Sequence, residues 1–555
     1  MQIVARISLF VLPLSEAIDR CAGRGYYLNM ETLVSTQTME SIDARAQSEF
    51  LMPAILLMEQ AGVRAWRAFC EFARDRGIEY SKVLFIAGGG NNGGDALVMA
   101  REAFFSGSDR FSILLVGSRV SNSCSVQRNI CRKLGFPIFE AENADGLLSS
   151  ETVNLIAESD LIIDGIAGTG LRGVLGGTTA EIVKLINARR ADGAFILSVD
   201  IPSGCSDSMS VSGIRVQADL TVTMGLRKGA AYHPACRSGW GTILRVNPSF
   251  PPSLLKNSVA VATLSDLSDL HVARFGEDAY KYKRGHLALL AGSPAYTGAA
   301  RLAARSAFHS RCGLVSLCCD REVAAIAATE SPSVIIQSIE KGKLFTASQL
   351  AQTFQAIAAG PGWGELREDQ VIELMQSGLP MVLDADAIGA FSRVVGEHRV
   401  QGTAHGPLVL TPHPGELHRM LESLHMPLLA QESGPMGTFE SFVESLRRVS
   451  VALEAVLVHK SHVVWIFDGR VPGNLPIVID GMNNALGVAG SGDVLTGIIG
   501  ALLAQGYDAA HAACTGVLIH QEAGARARKE NGWFDAETLV SHVGVVCRWA
   551  EDGAT

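Results

Sequence analysis

The sequence predicts an α/β protein of two domains, each built on a mostly parallel sheet covered by helices. Three observations predict it. Apolar strand-like runs alternate with helix-like segments along most of the chain, the pattern of parallel strands joined by crossover helices. Hydrophobic residues make up 48% of the chain with 57 glycines and only 6% aromatics, which suits buried strands and many tight turns. Two glycine loops, Gly88-Gly89-Gly90-Asn91-Asn92-Gly93-Gly94-Asp95 and Gly487-Val488-Ala489-Gly490-Ser491-Gly492-Asp493, lie far apart in the chain. Each follows an apolar stretch, precedes a helix-like one and ends in a carboxylate. Glycines there let the backbone approach an anion, and the N–H groups at a helix start face it. Neither is a Gly-Lys-Ser/Thr phosphate loop or a G-x-G-x-x-G turn.

The elements follow in order. Residues 1–29 read as an extension of uncertain status: the apolar run Val4 to Leu14 is short and interrupted by Arg6 and Pro13. The first domain, 30–250, opens with helical periodicity from Thr38 to Phe72, broken at Pro53. Strand Val83–Ala87 runs into the first glycine loop, and Asp95–Phe105 reads as the helix behind it. Strand Ser112–Val116, helix Val126–Leu134, strand Leu161–Asp164, helix Thr179–Ala188 and strand Phe195–Asp200 continue the alternation, with apolar runs at Leu220–Met224 and Thr242–Val246. Residues 251–270, rich in Pro and Ser at their start, read as a linker. The second domain, 271–555, begins its own alternation at Leu287–Gly292. Helix Ala299–Arg311, strand Leu314–Cys318 and strands near Ala356, Pro380–Leu383, Leu408–Leu410 and Ala455–Val458 follow, before the last glycine loop opens helix Val494–Ala504.

Composition narrows the function. A net charge of −9 and a pI of 5.9 argue against a nucleic-acid surface. No run reaches the ~20 apolar residues of a membrane helix, so no membrane partner is expected. The 11 cysteines are odd in number, scattered and without a C-x-x-C pair, so a reducing cytoplasmic location is expected.

Polar residues cluster at strand ends, where ligands sit in such sheets. Asn91 to Asp95, Asp164 with Gly165 to Gly170, and Asp200-Ile201-Pro202-Ser203-Gly204 each fall just after a predicted strand. Any one of these aspartates alone reads equally well as a helix cap; three on one rim read as a site. In the second half, Asp493 at a glycine-rich helix start can accept a proton from an attacking hydroxyl while the backbone holds a phosphoryl group. In Thr411-Pro412-His413-Pro414-Gly415-Glu416 two prolines fix the backbone beside His413, which suits a polar contact to substrate better than a metal site. Asp384-Ala385-Asp386-Ala387 caps or lines the same cleft, and Gly360-Pro361-Gly362 can lie against a ligand. A small-molecule kinase fits the second half equally well on these residues alone.

The second half resembles the ribokinase-like NAD(P)H-hydrate dehydratases. The matching pieces are Gly292-Ser293 with Tyr296-Thr297-Gly298-Ala299-Ala300, Gly360-Pro361-Gly362, Asp384 to Ala387, Thr411 to Glu416 and Gly490 to Asp493. The first half resembles NAD(P)H-hydrate epimerase domains through Asn91 to Asp95, Gly168-Thr169-Gly170, Asp200 to Gly204 and the Lys228-Gly229 that follows Thr221-Val222-Thr223. The order of the motifs resembles that of fused bifunctional repair enzymes, across about residues 30 to 545. The resemblance implies a Rossmann-like three-layer αβα domain followed by a ribokinase-like α/β domain.

It also implies substrates, NADH or NADPH hydrated at C6 of the nicotinamide ring (NADHX and NADPHX), and two activities. One epimerises the R and S hydrates; the other dehydrates the S form using ADP or ATP with magnesium. By the resemblance, Asn91, Asn92, Gly93, Gly94 and Asp95, with Gly168, Thr169, Gly170, Leu171, Arg172, Gly173 and Val174, hold the phosphates and ribose. Asp200 is the epimerising acid/base, and Asn92, Asp164 and Ser203 give oxygen ligands to a potassium ion. Ala299, Gly362, His413 and Asp493 contact the hydrate in the second half; Lys460, Ser461, His462, Val463, Val464 and Gly492 belong to the nucleotide site. A homo-oligomer is expected. Two departures stand out: the segment after Lys460 lacks the family's glycine and threonine, and Gly88-Gly89-Gly90 replaces a proline-containing turn.

Overall fold

The computed structural model describes residues 30–552 apart from 143–147, 171–172, 206, 208–212, 331, 341–342, 365–366, 398–404 and 427–437. The chain divides into two compact units, one formed mainly by Thr32–Ala262 and the other mainly by Thr263–Leu429 and Val443–Thr555.

The first unit carries strands β1 (Glu31–Val34), β2 (Val83–Ala87), β3 (Phe111–Leu115), β4 (Ile138–Glu140), β5 (Leu161–Gly165), β6 (Phe195–Val199), β7 (Leu220–Met224), β8 (Arg227–Lys228) and β9 (Thr242–Val246). Seven form a wholly parallel sheet in the order β4-β3-β2-β5-β6-β7-β9, while β1 pairs in parallel with β8. The middle strands β2 and β5 are buried throughout, as strands covered on both faces must be. Helices Ala54–Arg76 and Asn91–Phe105 close one face around Trp66, Phe69 and Phe85; helices Ser150–Glu158 and Gly177–Ala191 close the other around Ile156, Ile182 and Ile186. The chain winds outward from β2 to β4, then returns to place β5 on the other side of β2. A crevice opens at such a reversal, beyond the carboxyl ends of β2 and β5. The first glycine segment and Asp164 are delivered there.

The second unit carries β10 (Ala260–Ser265), β11 (His286–Leu290), β12 (Leu314–Asp320), β13 (Ile335–Ile339), β14 (Ala356–Ala359), β15 (Met381–Leu383), β16 (Leu408–Leu410), β17 (Val456–His459), β18 (Val463–Asp468) and β19 (Ile477–Asp480). From β13 to β17 the order is β13-β12-β11-β14-β15-β16-β17, all parallel; β18 and β19 then run antiparallel, and β10 pairs in parallel with β19. The reversal here lies between β11 and β14, so Gly292 and Gly360 face each other across its crevice, with Gly292 N donating to Pro361 O at 2.9 Å. The nearly all-apolar helix Ser491–Ala504 runs beneath the sheet and packs on helix Thr297–His309, where Gly497 permits the approach of Ser306 and Ala303.

Two sequence expectations are corrected. Residues 251–270 are not a bare linker: they form helix Pro252–Lys256 and strand β10, whose Thr263, Leu264 and Ser265 register with Ile477, Val478 and Ile479. The run Ala260-Val261-Ala262-Thr263-Leu264 is β-prone, and the prolines before it mark a helix start rather than an absence of structure. The first glycine segment is not a loop ahead of a helix either, because the helix already begins at Asn91. Its glycines serve close packing: a Cβ on Gly93 would lie 2.0 Å from Gly88 O, and one on Gly94 2.4 Å from Met58 Cε.

Candidate active sites

In the first unit, Asp164, next to last in β5, has no exposure and gathers four donors. Ser203 Oγ (2.5 Å) and Ile166 N (3.3 Å) donate to Oδ1; Ser198 Oγ (2.8 Å) and Ser203 N (2.9 Å) donate to Oδ2. Burial pushes Asp164 up, against these hydrogen bonds. Asn92 joins the group through Nδ2, which donates to Ala167 O at 3.2 Å, and Gly168 lies against the Asn92 side chain. Asn92, Asp164 and Ser203 are therefore brought together in one oxygen-rich cluster.

Asp200 stands immediately after β6 in the left-handed region (φ 61°), a conformation that costs a non-glycine residue about 1–2 kcal/mol. Surrounding bonds hold it there. The ammonium of Lys228, whose side chain is fully buried, donates to Asp200 Oδ1, to Thr223 Oγ1 (2.8 Å) and to Met224 O (2.8 Å); Met224 N also donates to Asp200 Oδ1 at 2.9 Å. Asp200 lines a cavity of about 200 Å³ together with Asn91, Asp95, Thr169 and Lys228. Motif reading missed Glu40 and Asp43, which reach this cavity from helix Thr36–Glu49. Lys228 had a signal, a lysine among apolar β residues, but its ionic partner was not legible. Gly173 and Val174 are exposed, and Leu171 and Arg172 lie outside the described residues.

In the second unit, helix Ser491–Ala504 starts from Gly490 in the left-handed region (φ 90°), with no side chain capping its first N–H groups. Asp493 sits in that first turn. Burial, and then the negative charge of Asp384, push it up to about 7 against the pull of Lys460. Lys460 follows β17 and donates to Asp384 Oδ1 at 2.5 Å, with Glu416 Oε2 at 3.8 Å; Thr496 Oγ1 donates to Asp384 Oδ2 at 2.8 Å. Burial alone would lower the Lys460 ammonium, but Asp384 and Glu416 together hold it above the usual lysine value. Gly492 adjoins the same pair, a Cβ there lying 3.5 Å from Lys460 Nζ and 3.6 Å from Asp384 Oδ2. The cluster thus sets the Lys460 ammonium among Asp384, Glu416 and Asp493, and Asp386 adds its charge beside Asp493.

Gly362 and Ala299 are neighbours: a Cβ on Gly362 (φ 56°) would lie 3.0 Å from that of Ala299 and 2.6 Å from that of Tyr296. His413 caps helix Pro414–Ser423. Its Nδ1 accepts from Gly415 N at 3.0 Å, and Glu416 Oε2 accepts from His413 N at 2.9 Å, leaving the ring half-exposed. Lys460 is the member of the segment Lys460 to Val464 that, among the described residues, makes contact with the carboxylate cluster. Ser461 closes the β17–β18 turn through Val463 O (2.6 Å), and Val463 and Val464 are buried in β18.

Residues 287–543 match the family described as NAD(P)H-hydrate dehydratase, and residues 54–230 match that described as YjeF-related protein N-terminus. The bifunctional NAD(P)H-hydrate repair enzyme of Moorella thermoacetica is 30% identical over 90% of this chain and 93% of its own length. That of Thermofilum pendens is 32% identical over 88% of this chain and 91% of its own. Among solved structures, the ADP/ATP-dependent NAD(P)H-hydrate dehydratase of Bacillus subtilis, co-crystallised with ATP and Mg2+, is 25% identical. It matches 51% of this chain and 95% of its own, with a TM-score of 0.43. Both halves match in order, and the chain belongs to the bifunctional NAD(P)H-hydrate repair enzyme family.

Proposed function

We propose that this protein returns both epimers of hydrated NADH and NADPH to the intact cofactor, with Asp493 as the base that starts dehydration. The observation that carries the reading is a carboxyl raised to about 7 in the first turn of a helix where, among the described residues, nothing accepts from the N–H groups of Gly492 and Asp493. Such a carboxyl can take a proton from a hydroxyl near neutral pH, and the free N–H groups stabilise a phosphoryl group alongside. Hydroxide leaves a carbon poorly, whereas phosphate leaves readily. Asp493 deprotonates the C6 hydroxyl, the oxygen takes a phosphoryl group from ATP or ADP carried with magnesium (leaving ADP or AMP), the ring-nitrogen electrons expel phosphate, and loss of a C5 proton from the resulting iminium forms the C5=C6 bond of the intact cofactor. Gly492 and Lys460 face the nucleotide; Ala299, Gly362 and His413 face the hydrate.

In the first unit Asp200 acts as acid/base at the nicotinamide. The free N–H groups at the start of helix Asn91–Phe105, with Gly168 and Thr169, receive phosphate and ribose. Asn92, Asp164 and Ser203 fit a potassium ion: every donor is oxygen, only one is a carboxylate, and Asn92 Nδ2 is engaged with Ala167 O, which leaves its Oδ1 for a cation. A bound potassium ion supplies positive charge beside the phosphates and the glycine turn. The test is to give the protein mixed R and S hydrates with ADP or with ATP and follow NADH absorbance. Conversion of both epimers faster than they exchange spontaneously is expected. Phosphorylation of an alcohol with no NADH formed would instead identify a small-molecule kinase.

A further inference from the structure

We propose that Asp95 is the general acid of the epimerase site, working across the cavity from Asp200 as the base. This rests on the epimerase reading above and adds a second reacting group to it. The family resemblance places Asp95 in the segment that holds phosphates and ribose, yet it lies beyond the first turn of its helix and lines the cavity with Asp200. It is only 9% exposed, and among the described residues no group donates a hydrogen bond to its carboxyl. Its surroundings are opposite to those of Asp200, whose carboxylate is tied to the Lys228 ammonium and to Met224 N.

The groups facing Asp95 come from every side. Helix Thr36–Glu49 brings Glu40 and Asp43, helix Asn122–Lys133 brings Cys124, the turn after β6 brings Asp200, and β8 brings Lys228. Burial, then the charges of Asp200 and Asp43, push Asp95 well above the usual carboxylate range, and Lys228 offsets only part of this. The two carboxyls thereby sit in opposite settings in a single cavity, one tied to an ammonium and a backbone N–H, the other desolvated and, among the described residues, without a hydrogen-bond donor, the contrast that separates a base from an acid. Met58, Met224 and Phe250 supply an apolar wall for the ring.

The step balances without an oxidant or reductant. Asp200 removes the proton of the C6 hydroxyl, a C6=O double bond forms and the C6–N1 bond breaks. Its electron pair passes to N1, which takes the proton of Asp95, leaving an open-chain aldehyde conjugated to nothing and an enamine conjugated to the carboxamide. Rotation about C5–C6 presents the other face of the aldehyde. N1 then attacks it, Asp95 recovers its proton, and Asp200 returns its own to the oxygen.

The test uses the full-length protein, purified R hydrate and no nucleotide, with the S hydrate measured by chromatography. Asp95→Asn should lower kcat by about 100-fold or more while KM stays within about threefold, and Asp95→Glu should recover part of the loss. Wild-type kcat should fall on the alkaline side as Asp95 loses its proton, and Asp95→Asn should lack that limb. The proposal is overturned if Asp95→Asn keeps kcat within about threefold of wild type, or if its only defect is a raised KM. Should that variant not fold, a wild-type profile flat on the alkaline side overturns it just as well. A wild-type protein that does not accelerate R-to-S conversion at all would overturn the epimerase reading itself, a distinct result.

Discussion

Dehydration should show a pH dependence that an ordinary aspartate cannot give. Asp493 lies at about 7 because it is buried beside Asp384. If it must be ionised to take the C6 hydroxyl proton, kcat follows its ionised fraction. That fraction is about half at pH 7, and kcat falls about 30-fold below its plateau at pH 5.5; a carboxylate near pKa 4 would lose almost nothing there. The neighbours fix the direction in which variants move the profile. Asp384 raises Asp493 and Lys460 lowers it, so Asp384→Asn should shift the limb to lower pH and Lys460→Met to higher pH. The assay is NADH recovery from purified S hydrate at saturating nucleotide, between about pH 5.5 and 8.5, corrected for spontaneous reaction. A flat wild-type profile, or a limb displaced in the same direction by both variants, refutes the reasoning.

Stability offers a second check on the same residue. The raised folded-state pKa means that Asp493 favours folding fully below about pH 4 and that this contribution is lost as pH rises through about 7. Asp493→Asn should therefore abolish NADH recovery yet stabilise its unit above pH 7, by on the order of 4 kcal/mol at most, as thermal melts at acid and alkaline pH would show. Asp200→Asn should leave the S hydrate recovered at the wild-type rate and the R hydrate at the spontaneous exchange rate; equal slowing of both epimers would contradict separate roles. Ser203→Ala removes the hydroxyl that donates to Asp164 at 2.5 Å, which should cost about 1–3 kcal/mol and raise the KCl concentration needed for half-maximal epimerisation. Gly362→Ala forces φ 56° on a residue with a Cβ 2.6 Å from that of Tyr296, and should raise KM for the S hydrate along with a stability loss of at least 1–2 kcal/mol.

Much of the architecture was legible in the chain because its signals are local. Each buried parallel strand is a short apolar run, and each crossover helix lies between two of them, so β2, β5, β11 and β14 could be placed from their own residues. Strand β18 escapes a local reading because its turn from β17, Lys460-Ser461-His462, carries no Asn-Gly or Asp-Gly signal, and β19 follows it only after the longer connection 469–476. Strand β10 hid behind prolines and finds its partner, β19, only far along the chain.

The sequence by itself determined which residues could do chemistry: Asp200 after a strand, Asp493 at a glycine-started helix, and an oxygen-bearing set in Asn92, Asp164 and Ser203. Only the tertiary structure decided their states. A carboxyl's proton affinity depends on burial and on charges brought close from distant segments, and neither is a property of its neighbours in sequence. Thus Lys228 meets Asp200, Asp384 and Lys460 close on Asp493, and Asp95 lines the cavity from just beyond the first turn of its helix.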